Sequence, residues 1–210
     1  MKKLFAILIM LFAAIVIRAQ EENVQEIIDT ANSGYMSYLE LIPTGQESFY
    51  GFKSRDEFAM TKIGKPYQIF TLSQDFFSDA SLADSKNYLV PTKEWRIPVM
   101  VNGENRTLVT VAIMNGKYAV VGIGGTGLSK ELEELEKNYP TANQEGKLLR
   151  VYQLECDFLL LPSDKSSSDI NAYPMTSAKM AFYKADNKMT APFYSLFQTL
   201  LLIKNNINNK

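Results

Sequence analysis

The residues Gly122-Ile123-Gly124-Gly125-Thr126-Gly127 follow a β-rich run and precede a helix-forming one. This G-x-G-x-x-G spacing is the written form of a dinucleotide fingerprint. In that motif the glycines let the backbone approach a pyrophosphate, which rests on a helix N-terminus. The chemistry needs a parallel strand–helix–strand unit and an acid about 20 residues further on to hold a ribose. Here the upstream strand is expected to close an antiparallel meander. The next acid after a strand, Glu155, is 28 residues beyond Gly127. The simpler expectation is a sheet-to-helix joint that needs positive φ at some glycines. A helix start also leaves free N–H groups, so the weaker expectation is a small-anion site at Gly124, Gly125 and Gly127. No cofactor is expected.

Other catalytic chemistry is bounded by what the chain lacks. There is no histidine and one cysteine, Cys156. Ser-His-Asp and Cys-His mechanisms, and zinc sites built on imidazole, have no residues to work with. Cys156 lies in the apolar run VYQLECDFLLLP, where a buried inert thiol is expected. The segment LPSDKSSSDIN carries Asp164, Lys165 and Asp169 among serines. It lacks the glycine and terminal glutamate of a calcium loop and reads as a polar surface loop. Ser54 and Glu57 have capping-box spacing. No metal site is expected.

The chain opens with Lys2 and Lys3, an apolar run from Leu4 to Ile17, and Ala19 before Gln20. This is the layout of a secretory signal peptide, and the run is short for a membrane span. Ile17 and Arg18 make the cleavage site imperfect, which leaves an uncleaved anchor as the alternative. The only cysteine is far from the cleavage point, so lipid attachment there is excluded. The expectation is residues 1–19 as signal peptide and 20–210 as a single exported α+β domain, periplasmic or secreted. Cleavage removes three of the 22 basic residues and none of the 23 acids, which leaves 19 − 23 = −4. That balance argues against nucleic acid as a partner. No integral membrane span is expected in the mature form.

The supporting elements follow from periodicity. Val24, Ile27, Ile28, Ala31, Tyr35, Tyr38, Leu39 and Ile42 mark an amphipathic helix over 21–42, weakened by Gly34. A short extended piece at 48–52, a helical turn at 55–61, a strand at 67–72, an irregular stretch at 73–87 and a short strand at 87–91 come next. Asn102-Gly103 and Asn115-Gly116 each sit between β-rich runs and suit type I′ hairpin turns. They predict an antiparallel meander of strands 95–101, 104–114 and 117–122, with Pro98 at an edge or at the start of pairing. A helix over 128–139 follows, with Ser129 or the glycine backbone serving its start. A long strand or bent pair at 146–162 and a strand at 172–184 come after it. The closing helix, about 192–204, is apolar on nearly all sides; Phe193, Phe197, Leu200 and Leu201 are its candidate partner contacts. The fold class is α+β: an antiparallel sheet packed by an N-terminal and a C-terminal helix. Asn105-Arg106-Thr107 matches a glycosylation sequon and carries little weight in a bacterial-looking secretory context.

These features point to a non-enzymatic binding module of the bacterial envelope, with a protein, peptide or envelope glycan as partner. A protease inhibitor or propeptide-like module is one alternative. A histidine-independent hydrolase using two carboxylates across a cleft is the other.

Overall fold

The structure is a computed structural model that describes residues 24–79, 81–82, 84–139, 146–163, 166–183 and 189–208. The expected signal peptide, and Asp164 and Lys165 of the polar loop, lie outside these residues.

The molecule is a mixed α and β protein built on one large, mostly antiparallel sheet. Helix α1 covers residues 24–40. The strands are β1 (Thr61–Ile63), β2 (Tyr67–Leu72), β3 (Leu89–Val101), β4 (Glu104–Met114), β5 (Lys117–Gly124), β6 (Lys147–Val151), β7 (Cys156–Ser163), β8 (Ser166–Pro174) and β9 (Tyr194–Ser195). The other helices are α2 (Gln74–Ser78), α3 (Thr126–Asn138), α4 (Thr176–Ala181) and α5 (Leu196–Asn208). The strand order is β5-β4-β3-β2-β6-β7-β8-β9, with β1 also paired to β3. The β2–β6 pair is parallel and every other pair is antiparallel.

The hairpin turns between β3, β4 and β5 have the geometry their sequence demands. Asn102 and Gly103 have φ of 53° and 81°, and Asn115 and Gly116 have 52° and 80°. Positive φ at both central residues defines the I′ turn, whose twist matches the strands it joins.

Register assigns the two faces. Ile69 pairs with Leu148 and Tyr67 with Arg96, so these four share one face. Gln68 pairs with Trp95 and Phe70 with Leu149, which places those on the opposite face. That second face carries two apolar clusters. At the β3–β5 end, Ile27, Ala31 and Leu39 of α1 pack on Ile97, Val99, Val109, Val111 and Val120. At the β7–β8 end, Leu196, Leu200 and Ile203 of α5 join Ala178, Phe182 and Phe76 over Val151, Phe158 and Leu160. On the first face, Leu132 of α3 packs with Tyr67, Leu108, Leu148, Leu159 and Tyr173. Both faces therefore carry helices, and among the described helices α3 is the one whose side chains pack in the first-face cluster.

Several boundaries differ from the sequence expectations for identifiable reasons. Residues 47–50 form a 3₁₀ turn, not an extended piece. Glu47 stabilises it by accepting from the Gly45 amide (2.8 Å) and from Arg55 Nε (3.0 Å). The stretch 73–87 contains α2 and most of another 3₁₀ turn, Ser85–Tyr88, whose Tyr88 hydroxyl donates to Asp79. The strand expected at 172–184 is in fact the end of β8 followed by α4. Pro174 is the last strand residue, and Met175 is the N-cap at which the chain turns into the helix. Helix α5 starts later than expected, because Tyr194 and Ser195 first pair with β8. Pro98 lies in an inner strand, not at an edge. Its carbonyl accepts from the Gly64 amide (2.7 Å), so its missing N–H faces the Gly64–Pro66 break between β1 and β2, where no ladder bond is lost. Gly34 weakens α1 for a packing reason: a Cβ there would sit 2.8 Å from Val120 Cγ2.

Candidate functional site

Strand β4 shows where the sheet changes character. Its residues from Asn105 to Val111 are all buried, and on the α3 face they read Leu108, then Thr110. Leu108 lies under α3, whereas Thr110 lies past the helix start. The sheet opens there into a cleft of about 380 Å³. Its floor crosses the sheet: Thr110 of β4, Arg96 of β3, Ile69 of β2, Leu148 and Arg150 of β6, and Asp157 of β7. Leu128 of α3 forms one wall, and Gly122, Gly124 and Gly125 line the rim on the β5 side. Ile123 also borders it, although its side chain packs with the α1 cluster.

The glycines keep this space open. A Cβ on Gly122 or on Gly124 would meet nothing within 4 Å. Gly124 and Gly125 have φ of 155° and 77°, so both use backbone that other residues resist. Gly122 does not, and its lack of a side chain is a matter of space alone. Gly125 is the N-cap of α3 and no side chain caps the helix. The first i to i−4 bond runs from Ser129 N to Gly125 O (2.9 Å), so the amides of residues 126–128 precede the intrahelical ladder. Ser129 is not the cap: its hydroxyl donates to Thr107 O (3.0 Å) and ties α3 to β4.

Polar groups gather on the floor. Arg150 Nη1 donates to both carboxylate oxygens of Asp157, at 2.8 and 3.1 Å. Asp157 is further fixed by Ser177, whose Oγ accepts from its amide (3.0 Å). The Arg150 guanidinium also stands 5.9 Å from the Tyr152 ring centroid. Burial, and then the Glu94 carboxylate, raise the Tyr152 phenol above its ordinary pKa. Arg96 differs from Arg150. It is half-buried and its Nη1 donates to Thr110 Oγ1. Among the described residues no carboxylate forms an ion pair with it. The charged side chains of the lining are thus Arg96, Arg150 and Asp157, which sum to +1.

Of the residues singled out in sequence, Gly124 and Gly125 line this cleft. Gly127 does not; it lies within the first turn of α3. The parallel unit that a dinucleotide requires is not made: three antiparallel pairings separate β5 from β2, and β6 is parallel to β2, so β5 and β6 run in opposite directions. Phe193, Phe197 and Leu201 are 40%, 46% and 42% exposed, but Leu200 is fully buried in the core beneath α5 and presents no contact surface. Phe193 stacks beside Tyr173, with centroids 5.3 Å apart. Cys156 is buried. The sequon's Asn105 is buried as well, and its Nδ2 donates to Ser129 O (3.0 Å), so the folded chain offers no acceptor there. The Ser54–Glu57 pair does not form the expected capping box: Ser54 makes no side-chain cap, and Glu57 accepts from the amide of Lys53, the residue before the cap (2.7 Å), and from Arg106 Nη2 (2.9 Å).

Arg96, Thr110, Arg150 and Asp157 were not foreseen as a group. A signal for one of them existed: Arg96 interrupts the apolar run Trp95–Val101 at a position whose neighbours alternate in a buried strand. Their juxtaposition depends on the β2–β6 pairing, which no local pattern specifies.

Chemically, the cleft offers charge, hydrogen-bond donors and aliphatic surface. Its lining contains one carboxylate, already held by Arg150, so a two-carboxylate hydrolysis has no second acid in this cleft. Among the described residues no group of three His, Cys, Asp or Glu side chains is arranged to hold a metal ion. No helix among them is long and apolar enough to cross a membrane. No family model matches the chain, and no curated protein or solved structure is significantly similar to it.

Proposed function

We propose that this chain is an exported, non-enzymatic binding module of the bacterial envelope, and that its ligand is a small molecule carrying an anionic group held in the α3-face cleft. The observation that carries this reading is Arg96. A half-buried guanidinium on a sheet floor has lost hydration, and leaving it without a counter-charge is unfavourable. A ligand anion would restore the missing interaction, with the α3 N-terminus close by to favour negative charge. Arg150 and Asp157 neutralise each other and give the cleft a fixed, hydrogen-bonded far side.

Export is supported by the basic start, the apolar run and Ala19. Cleavage after Ala19 gives a mature chain that begins at Gln20, which the intact mass of periplasmic material would reveal. The binding reading is tested by thermal-shift titration of the purified protein with a panel of small organic and inorganic anions. Binding should weaken with salt and with Arg96→Gln. If no anion stabilises the protein at millimolar concentration, the reading fails.

A further inference from the structure

We infer that the cleft's ligand is an aliphatic monocarboxylate: one carboxylate held by Arg96, with a hydrocarbon chain laid against the sheet floor. This rests on the anion-binding reading above and narrows it to a ligand class.

Three features of the lining choose this class. The first is charge. Arg96, Arg150 and Asp157 sum to +1, so a single negative charge balances the cleft. A phosphate dianion would leave one charge unmatched in the presence of Asp157. The second is geometry. A guanidinium presents five N–H donors in a planar fork that fits a carboxylate through two parallel bonds. Arg96 directs Nη1 to Thr110 Oγ1, and the rest of its fork has no carboxylate partner among the described residues. Thr110 holds the group in place, so less side-chain freedom is lost on binding. The third is the apolar surface. Ile69, Leu108, Leu128 and Leu148 border the same space, and the bare backbone at Gly122 and Gly124 leaves room beside them. Ile69, Leu108 and Leu148 are already nearly dry and Leu128 is half-buried, so a hydrocarbon chain laid beside them gains mainly by taking its own surface out of water.

The experiment is calorimetric titration of the purified protein with acetate, butanoate, hexanoate and octanoate, and with octan-1-ol and monooctyl phosphate as eight-carbon controls, all below micelle formation. The affinity should rise roughly two- to fourfold per added methylene, the upper figure being the transfer value of about 0.8 kcal/mol for a fully buried methylene. Octanol should bind at least about tenfold more weakly than octanoate, since a charged hydrogen-bond pair is missing. Octyl phosphate should bind no more tightly than octanoate. Arg96→Gln should weaken octanoate by at least about tenfold and leave octanol nearly unchanged, and unaltered thermal unfolding of that variant would show that it still folds. Gly122→Leu should weaken both. Tighter binding of octyl phosphate, or no dependence on chain length, would overturn the monocarboxylate assignment while the anion site stood. Equal binding of octanol and octanoate, or an Arg96→Gln variant that binds octanoate normally, would overturn both. No heat with any of the six ligands, together with no anion response in thermal shift, would also overturn both.

Discussion

Replacing Gly122 by leucine separates the two roles a glycine can have at a sheet-to-helix joint. Gly122 of β5 pairs with Thr110 of β4, its φ is not positive, and a Cβ would meet nothing within 4 Å. Backbone strain and overpacking are therefore both absent from the expected cost. A glycine in a strand interior is worse than a residue with a side chain by about 0.5–1 kcal/mol, for reasons of unfolded-state entropy. Packing of the new side chain near the cleft's aliphatic wall adds to this. The variant should thus be more stable, and for a chain of this size about 1 kcal/mol corresponds to roughly 2–4 °C in Tm. The same side chain occupies the space a ligand needs. Differential scanning calorimetry with and without octanoate should show a raised Tm in the free variant and a lost ligand-induced shift. A free variant that melts several degrees below the parent would refute the reasoning. It would mean that the glycine serves the local backbone, and the cleft would lose its clearest sign of being kept open.

Other consequences concern the frame that holds the cleft. Arg106 is buried against Glu57 (2.9 Å) with Glu104 on its second nitrogen (2.7 Å), so Arg106→Ala should cost about 3–5 kcal/mol in urea unfolding by leaving Glu57 buried without its partner. Burial alone would raise the Glu57 pKa, but the Lys53 amide and Arg106 outweigh it and hold the carboxyl below its ordinary value of 4.5. A depressed carboxylate contributes its stability above that value and loses it as pH falls through the depressed one. Tm should therefore drop below about pH 4.5, and Glu57→Gln, already destabilised at neutral pH, should show a flatter acid limb. Gly34→Ala gains about 1 kcal/mol in helix propensity, but its Cβ would stand 2.8 Å from Val120 Cγ2. Overpacking of about 1–3 kcal/mol should win, so the variant should melt at or below the parent temperature.

Local chemistry made part of this architecture legible. The Asn-Gly pairs foretold their turns because I′ geometry admits few other residues, and the apolar spacing of Ile27, Ala31 and Leu39 foretold the buried stripe of α1. The mixed α and β character of the chain followed from grouped strands and terminal helices. Less legible were elements decided by tertiary partners. Glu47–Tyr50 turns because Glu47 and Arg55 meet, and the 172–184 segment splits where the chain leaves β8. Leu200 could not be distinguished from Phe197 or Leu201 in a helix apolar on nearly all sides; only the packing of α5 on Phe182 and Leu160 sorts them. The cleft was half legible. Gly124 and Gly125 marked one rim through their backbone demands. Arg96 and Arg150 come from strands 54 residues apart in the chain, and the parallel β2–β6 pairing brings them together.

Arg96 and the aliphatic floor beside it are proposed to form a ligand site. Its most direct test is a nuclear magnetic resonance titration of methyl- and arginine-labelled protein with octanoate. The Arg96 Nε–H signal and the methyl signals of Leu108, Leu128 and Leu148 should move together and saturate with one affinity. Contacts between those methyls and the octanoate chain should appear, while Val109 and Val111 on the opposite face stay fixed. Shifts confined to the exposed side chains of α5, or an Arg96 signal that does not move while octanoate binds, would contradict it.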